Sequence, residues 1–240
     1  MIWARLVTQS VTARAEITRT MAEADGNRTR QRQRLPLSDF EDRADHQIGY
    51  ASSGHGFIMA GTMKTMLTSV GHGALDRVEL VALLRSAGIA ALVDIRRFPN
   101  SRRNPDVETS AMAAWARDAG LAYRWDERLG GRRRLPAGTE TVDGWWRVAQ
   151  FAAYAAYTRT APFGEALSEL VEQAQQQKTA MMCSESVWWR CHRRIVADVA
   201  VLEFGIEVGH LMHDGRVVHH TPSEGAVIRP DGKVGWPAPG

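Results

Sequence analysis

Three times in this chain a segment of helical period closes on a glycine and runs at once into an apolar stretch of strand length. The stretches are "RSAGIAALVDI" (85–95), "RDAGLAYRWDE" (117–127) and "LEFGIEVGHLM" (202–212). Glycine ends a helix in a left-handed conformation that other residues resist. Helix and strand in regular alternation are best accommodated by a mostly parallel sheet with helices on both faces. Two further strands are read at "MLTSVGH" (66–72) and "TAMMCSE" (179–185), and "DGRVVHH" (214–220) reads as a hairpin tip and short edge strand. Between them, Leu75, Val78, Leu80, Val81 and Leu84 recur at helical spacing. A second helix is expected from about Ser110, as N-cap, through Met112, Trp115 and Ala119. One or two helices should cover 144–159 and 163–177, the second presenting Phe163, Ala166, Leu167, Leu170, Val171 and Ala174 on one face. A last helix should run from about residue 190 through Ile195, Val196, Val199 and Leu202.

The expected architecture is therefore α/β. It has about five mostly parallel strands in Rossmann-like layering and forms a single domain over 62–222. Residues 1–61 read differently, being polar and without sustained apolar period. They are expected to be either a disordered arm or an extension foreign to the native protein, whose start would then be Met59, Met63 or Met66. Residues 223–240, rich in Gly and Pro, are expected to form a flexible tail.

The composition, 44% hydrophobic and 24% charged with a net charge of +3, is that of a soluble globular chain rather than a polycation. Two cysteines make no disulfide scaffold, and no apolar run reaches the length of a membrane span. A cytoplasmic location with no membrane partner is expected. Of thirty basic residues only three are lysines; the arginines gather at 96–97, 102–103, 132–134 and 190–194. A GC-rich genome accounts for much of that bias, but the placement matters because Arg forks onto phosphate and carboxylate.

In parallel sheets of this kind ligands bind beyond the carboxyl ends of the strands. That rule selects His72, Asp94 with Arg96 and Arg97, Asp126 with Glu127, and Cys183 with Glu185, served by the loops 96–105 and 128–136. Both cysteines fall in "CSESVWWRCHRR" (183–194), and Cys191, His192 and Arg193 are expected in the first turn of the following helix. Free backbone N–H groups there favour an anion and lower a thiol pKa. Each residue also has a plainer reading: the cysteines as small buried apolar groups, Trp188 and Trp189 as packing, Asp94 as partner to an arginine. His210, His213, His219 and His220 make no metal pattern with the cysteines, no metal is expected from spacing, and the cofactor is not legible.

Five separated motifs occur in order: Gly71–His72; Asp94, Arg96, Pro99, Ser101 and Arg102; Leu129–Gly130–Gly131; Cys183 and Glu185; and Cys191–His192–Arg193. Together they resemble the bacterial and archaeal family filed as domain of unknown function 488, over roughly residues 66–213. Many members carry a Pro where this chain has Val187–Trp188–Trp189. The resemblance implies an α/β fold and a polar site in which the Cys-x-Glu and Cys-His-Arg residues act together. It implies no particular activity.

Three functions are compatible with these residues. One is an enzyme on a phosphorylated or nucleotide-like substrate. Arg96, Arg102, Arg193, Gly130 and Gly131 would hold the anion, Cys183 or Cys191 would be nucleophile, and His72 or His192 the acid/base oriented by Asp94 or Glu185. The second is a nucleic-acid-binding module of arginine loops and stacking tryptophans. The third is a thiol redox sensor joining Cys183 and Cys191. Oligomeric state is not legible. The intact mass of the natural protein settles the first 61 residues: a mass of 26.6 kDa, that of all 240 residues, removes the foreign-extension reading.

Overall fold

The computed structural model describes residues 66–101, 104–136, 138–139 and 141–240. The expectations for 1–61 and for Arg102 lie outside the described residues. Six strands form one sheet: β1 (Met66–Gly71), β2 (Ala91–Asp94), β3 (Ala122–Trp125), β4 (Thr179–Cys183), β5 (Glu207–Leu211) and β6 (Val217–His219). Their order is β3-β2-β4-β1-β5-β6, with β1 to β5 mutually parallel and only β6 antiparallel. All five carboxyl ends therefore meet one edge. β4 lies between β1 and β2, with Gly71 opposite Cys183 and Asp94 opposite Met182.

Five helices cover the two faces: α1 (Arg77–Ser86), α2 (Thr109–Asp118), α3 (Ala149–Tyr157), α4 (Ala161–Gln176) and α5 (Arg193–Phe204). Successive side chains of a strand point to opposite faces. Val70, Leu92 and Met182 accordingly join Leu80, Leu84, Met112 and Trp115 of α1 and α2. Leu67, Val93, Met181 and Val208 join Phe163, Leu167, Leu170, Ile195 and Val199 of α4 and α5. Strands buried on both faces explain why "ALVD" and "TAMMC" show no alternation of apolar and exposed polar residues. The three helix-closing glycines, Gly88, Gly120 and Gly205, have φ of 67°, 73° and 66°. Among the described residues no helix is long and apolar enough to cross a membrane.

Three boundaries differ from the sequence reading. A 3-10 turn at Pro105–Val107 feeds α2 directly, so Glu108 occupies the N-cap without a side-chain bond and Ser110 falls inside the first turn. The helix expected from 144 begins at Ala149, because Trp145 and Trp146 are used in packing against Trp236 and its backbone. The tail expected to be flexible forms a hairpin of β7 (Val227–Ile228) and β8 (Val234–Gly235) and buries Trp236 completely. The indole Nε1 donates to Asp198 Oδ2 at 3.0 Å and the Trp236 backbone N–H donates to Asp143 at 3.2 Å. A single anchoring aromatic outweighs the Gly and Pro around it. Trp236→Ala should lower unfolding stability by about 3–5 kcal/mol in chemical denaturation, as for other large buried side chains; a frayed tail would give less than about 0.5 kcal/mol.

Candidate functional site

β4 ends at Cys183, and pairing continues past the strands: His72 N–H donates to Cys183 O at 3.0 Å and Gly73 N–H to Ser184 O at 2.9 Å. The chain then makes a 3-10 turn, Trp188–Arg190, before α5. Cys191 is extended and precedes the helix rather than lying in its first turn, while His192 sits at the N-cap with helical angles. This returns Cys191 to Cys183. The two sulfurs and His192 Nδ1 lie within 4.8 Å of one another, with Nδ1 at 3.8 Å from Cys183 Sγ and 3.6 Å from Cys191 Sγ. Both cysteines are reduced. His192 Nε2 faces the carbonyl of Ile95 at 3.2 Å. A carbonyl only accepts, so Nε2 carries the proton and a neutral ring turns its Nδ1 lone pair to the sulfurs. Three groups of metal-ligating type thus converge, which a Cys-x7-Cys-His spacing does not announce.

Arg193 is 1% exposed, and no carboxylate among the described residues pairs with it. Its guanidinium donates to Cys191 Sγ (Nε, 3.4 Å), Ser69 Oγ (3.5 Å) and, by a short bond, the carbonyl of Glu185. Burial pushes the Cys191 thiol pKa up, but hydrogen bonds from Cys183 and from the side chain and backbone of Arg193, with the arginine charge, outweigh it and bring the value below that of a free thiol. Cys183 moves the other way, raised by its hydrogen bond to Cys191 and by burial. Of the pair, Cys191 is the sulfur whose surroundings favour the thiolate.

Behind Arg193 lies a buried polar chain. Ser69 Oγ is 3.0 Å from His210 Nδ1, His210 Nε2 is 3.0 Å from His220 Nδ1, and His220 Nε2 is 2.8 Å from Asp198 Oδ1. Asp198 also accepts from Ser223 N–H at 2.8 Å and from Trp236. With both rings neutral, every donor points from Arg193 towards the carboxylate. Trp188 lies flat on His210, centroids 4.0 Å apart and 4° from parallel, so that face is not offered to a base. The histidines read as hairpin residues are in fact split: His210 and His220 are buried and His219 is exposed.

Asp94 and Arg96 form a buried pair, Nε to Oδ1 at 2.8 Å and NH2 to Oδ2 at 2.6 Å, with Tyr123 donating to the same carboxylate at 3.1 Å. Arg96 also binds the carbonyl of Val107 at 2.6 Å. Asp94 therefore holds Arg96 and makes no hydrogen bond to His72. His72 contacts Gly73 O through Nδ1 (3.0 Å) and Arg96 NH1 through Nε2 (3.4 Å). Arg96 and Arg193, expected to grip a ligand, both hydrogen-bond internal partners, and Arg96 also lines a cavity with Cys183 and Cys191. Gly130 and Gly131 serve close approach: a Cβ at 131 would lie 2.9 Å from His192 Nδ1, and one at 130 would lie 2.7 Å from Arg97 Cα.

Cys183, Cys191, His192, His72 and Glu185 line one cavity of about 450 Å³, with Arg97, Arg132, Arg190, Asn100 and Tyr154. Arg132 and Arg190 are exposed and make no ion pair among the described residues. They belong to the arginine clusters, but clustering alone could not tell which members turn inward. Arg132 has φ of 57°, an uncommon angle for a side-chain-bearing residue, at the cavity rim.

Burial, then the charge of Arg96, holds the His72 pKa down to about 4, and burial, then His220 and Arg193, holds His210 down to about 3. Between pH 6.5 and these values the unfolded chain binds more protons than the folded one, so stability falls as pH drops through that window. The fall, followed by denaturation at fixed pH values, should be shallower in His210→Gln than in the parent chain.

The profile of the family described as Domain of unknown function DUF488 matches residues 76–200. No curated protein matches the chain, and no solved structure does. The matched span holds Asp94, Arg96, Gly130, Gly131, Cys183, Glu185 and the Cys191–His192–Arg193 run, and it stops before His210 and His220. More than half of the chain is covered, from the start of α1 into α5, and the chain belongs to the family of Domain of unknown function DUF488.

Proposed function

We propose that the protein is an enzyme that takes a phosphate-bearing, nucleotide-like substrate into the cavity and acts on it with the Cys191 thiolate. The observation that carries this reading is the sulfur of Cys191 on the cavity wall, facing a buried arginine that has no carboxylate partner among the described residues. Such a guanidinium is a counter-charge for a thiolate. Arg132 and Arg190, without an ion-pair partner among the described residues, supply positive charge at the rim for the substrate anion. The sulfur forms a bond to the electrophilic atom of the substrate, and the leaving group departs with the bonding pair and takes its proton from solvent. Water or a second substrate then takes the group from sulfur and restores the thiolate. His192 Nδ1, 3.6 Å away, is the base placed to take the proton of Cys191 wherever that sulfur is still a thiol.

Alkylation of each cysteine, followed by mass spectrometry on the chelator-treated full chain from about pH 5 to 9, tests this. Cys191 should react ahead of Cys183 at pH below the ordinary thiol range, and phosphate or mixed nucleotides should slow it. Arg193→Met should return Cys191 to ordinary thiol behaviour, and Arg132→Ala with Arg190→Ala should weaken the shielding. Two slow thiols indifferent to anions would end the proposal.

A further inference from the structure

We infer that Cys183, Cys191 and His192 form a three-ligand site for a soft divalent ion, zinc in the first place, with the fourth position open to the cavity. Two thiolates and one imidazole are the donor set that selects such ions over hard cations. Geometry agrees. With Zn–S of about 2.3 Å and Zn–N of about 2.0–2.1 Å in a tetrahedron, the sulfur–nitrogen edges come to roughly 3.6 Å. The observed edges are 3.6 and 3.8 Å, and all three atoms lie within 4.8 Å of one another.

The surroundings point the same way. His192 donates its other ring N–H to a backbone carbonyl, the arrangement that fixes the tautomer and orientation of metal-binding histidines. Arg193 donates to Cys191 Sγ, as outer partners of a metal thiolate do. Gly131 leaves the Nδ1 side of the ring clear, where any side chain would intrude. The ligands stand at the end of β4 and the start of α5, elements held by the sheet and the core. Three protein ligands beside a cavity is the pattern of a site that admits a further ligand, not of a closed structural one.

Both sulfurs bind as thiolates, so any thiol proton they carry passes to solvent on binding; no oxidation is involved. The sulfur lone pairs are then committed to the ion. Zinc thus switches off the nucleophile, and this consequence, unlike the metal site itself, rests on the thiolate reading above.

The test uses the untagged, reduced full chain stripped with a chelator and titrated with Zn2+ alone against a chromophoric competitor, and with Co2+ alone for its absorption spectrum. One equivalent should bind, cobalt should show thiolate-to-metal charge transfer, and one equivalent of zinc should shield both cysteines from alkylation until chelator is added. Cys183→Ser, Cys191→Ser or His192→Gln should each weaken binding at least by the roughly 10–100-fold that loss of an outer partner costs. Substoichiometric uptake, a cobalt spectrum without charge transfer, or affinity unchanged in all three variants would overturn the site. Should the variants fail to fold by circular dichroism, the parent chain decides: cysteines that stay reactive at one equivalent of zinc overturn it. The two proposals fail separately. Anion-shielded reactivity of Cys191 in a chain that takes up no zinc removes the metal site alone. One equivalent of zinc on a chain whose stripped cysteines are slow and indifferent to anions removes the nucleophile alone.

Discussion

A guanidinium in the interior with no carboxylate beside it among the described residues is an expensive object, and the architecture around Arg193 is arranged to satisfy it. An isolated buried charge costs several kcal/mol unless hydrogen bonds and an opposite charge are supplied. Here the donors reach Ser69 on β1, the Glu185 carbonyl in the loop after β4, and the sulfur of Cys191. One side chain therefore ties the middle of the sheet to the loop that shapes the cavity. Gly71 is part of the same arrangement, since a Cβ there would lie 2.7 Å from Arg193 NH2 and collide with the Glu185 backbone.

The charge is also balanced from behind. Arg193 and Asp198 stand on the same helix, and the path between them runs through Ser69, His210 and His220. Asp198 in turn anchors the tail through Trp236 and Ser223. The C-terminal hairpin is thus coupled to the cysteine site by hydrogen bonds. Trp188, flat on His210, covers the chain from the loop side, and burial together with the neighbouring His220 and Arg193 disfavours a charged His210 ring.

The strand and helix succession was legible because its signals are local: a glycine with positive φ after each of three helices and strands apolar on both faces. The placement of His72, Asp94 and Cys183 at one edge followed from the parallel topology. What could not be read was the direction of side chains. Arg96 and Arg193 look like ligand-binding arginines in sequence, but each is closer to an internal partner: Asp94 two residues away, and Cys191 two residues before it. His192 finds its backbone partner Ile95 across 97 residues, and no spacing rule reaches that far. The tail misled for a related reason, since Trp236 owes its burial to Asp198 and Asp143, both distant in sequence.

The position of β4 bears on how the molecule comes together. β1 and β2 follow one another along the chain but are not neighbours in the sheet, because β4 separates them. Neither can complete its ladder until residues 179–183 arrive, after α2, α3 and α4 have been laid down. Closing so long a loop is slow, and the halves of the sheet must wait with open edges. The strand that closes the gap is the one that ends in Cys183, with Cys191 and Arg193 immediately behind it. The thiol pair therefore cannot come together before that strand is seated, and chains folded short of that step carry two separated cysteines.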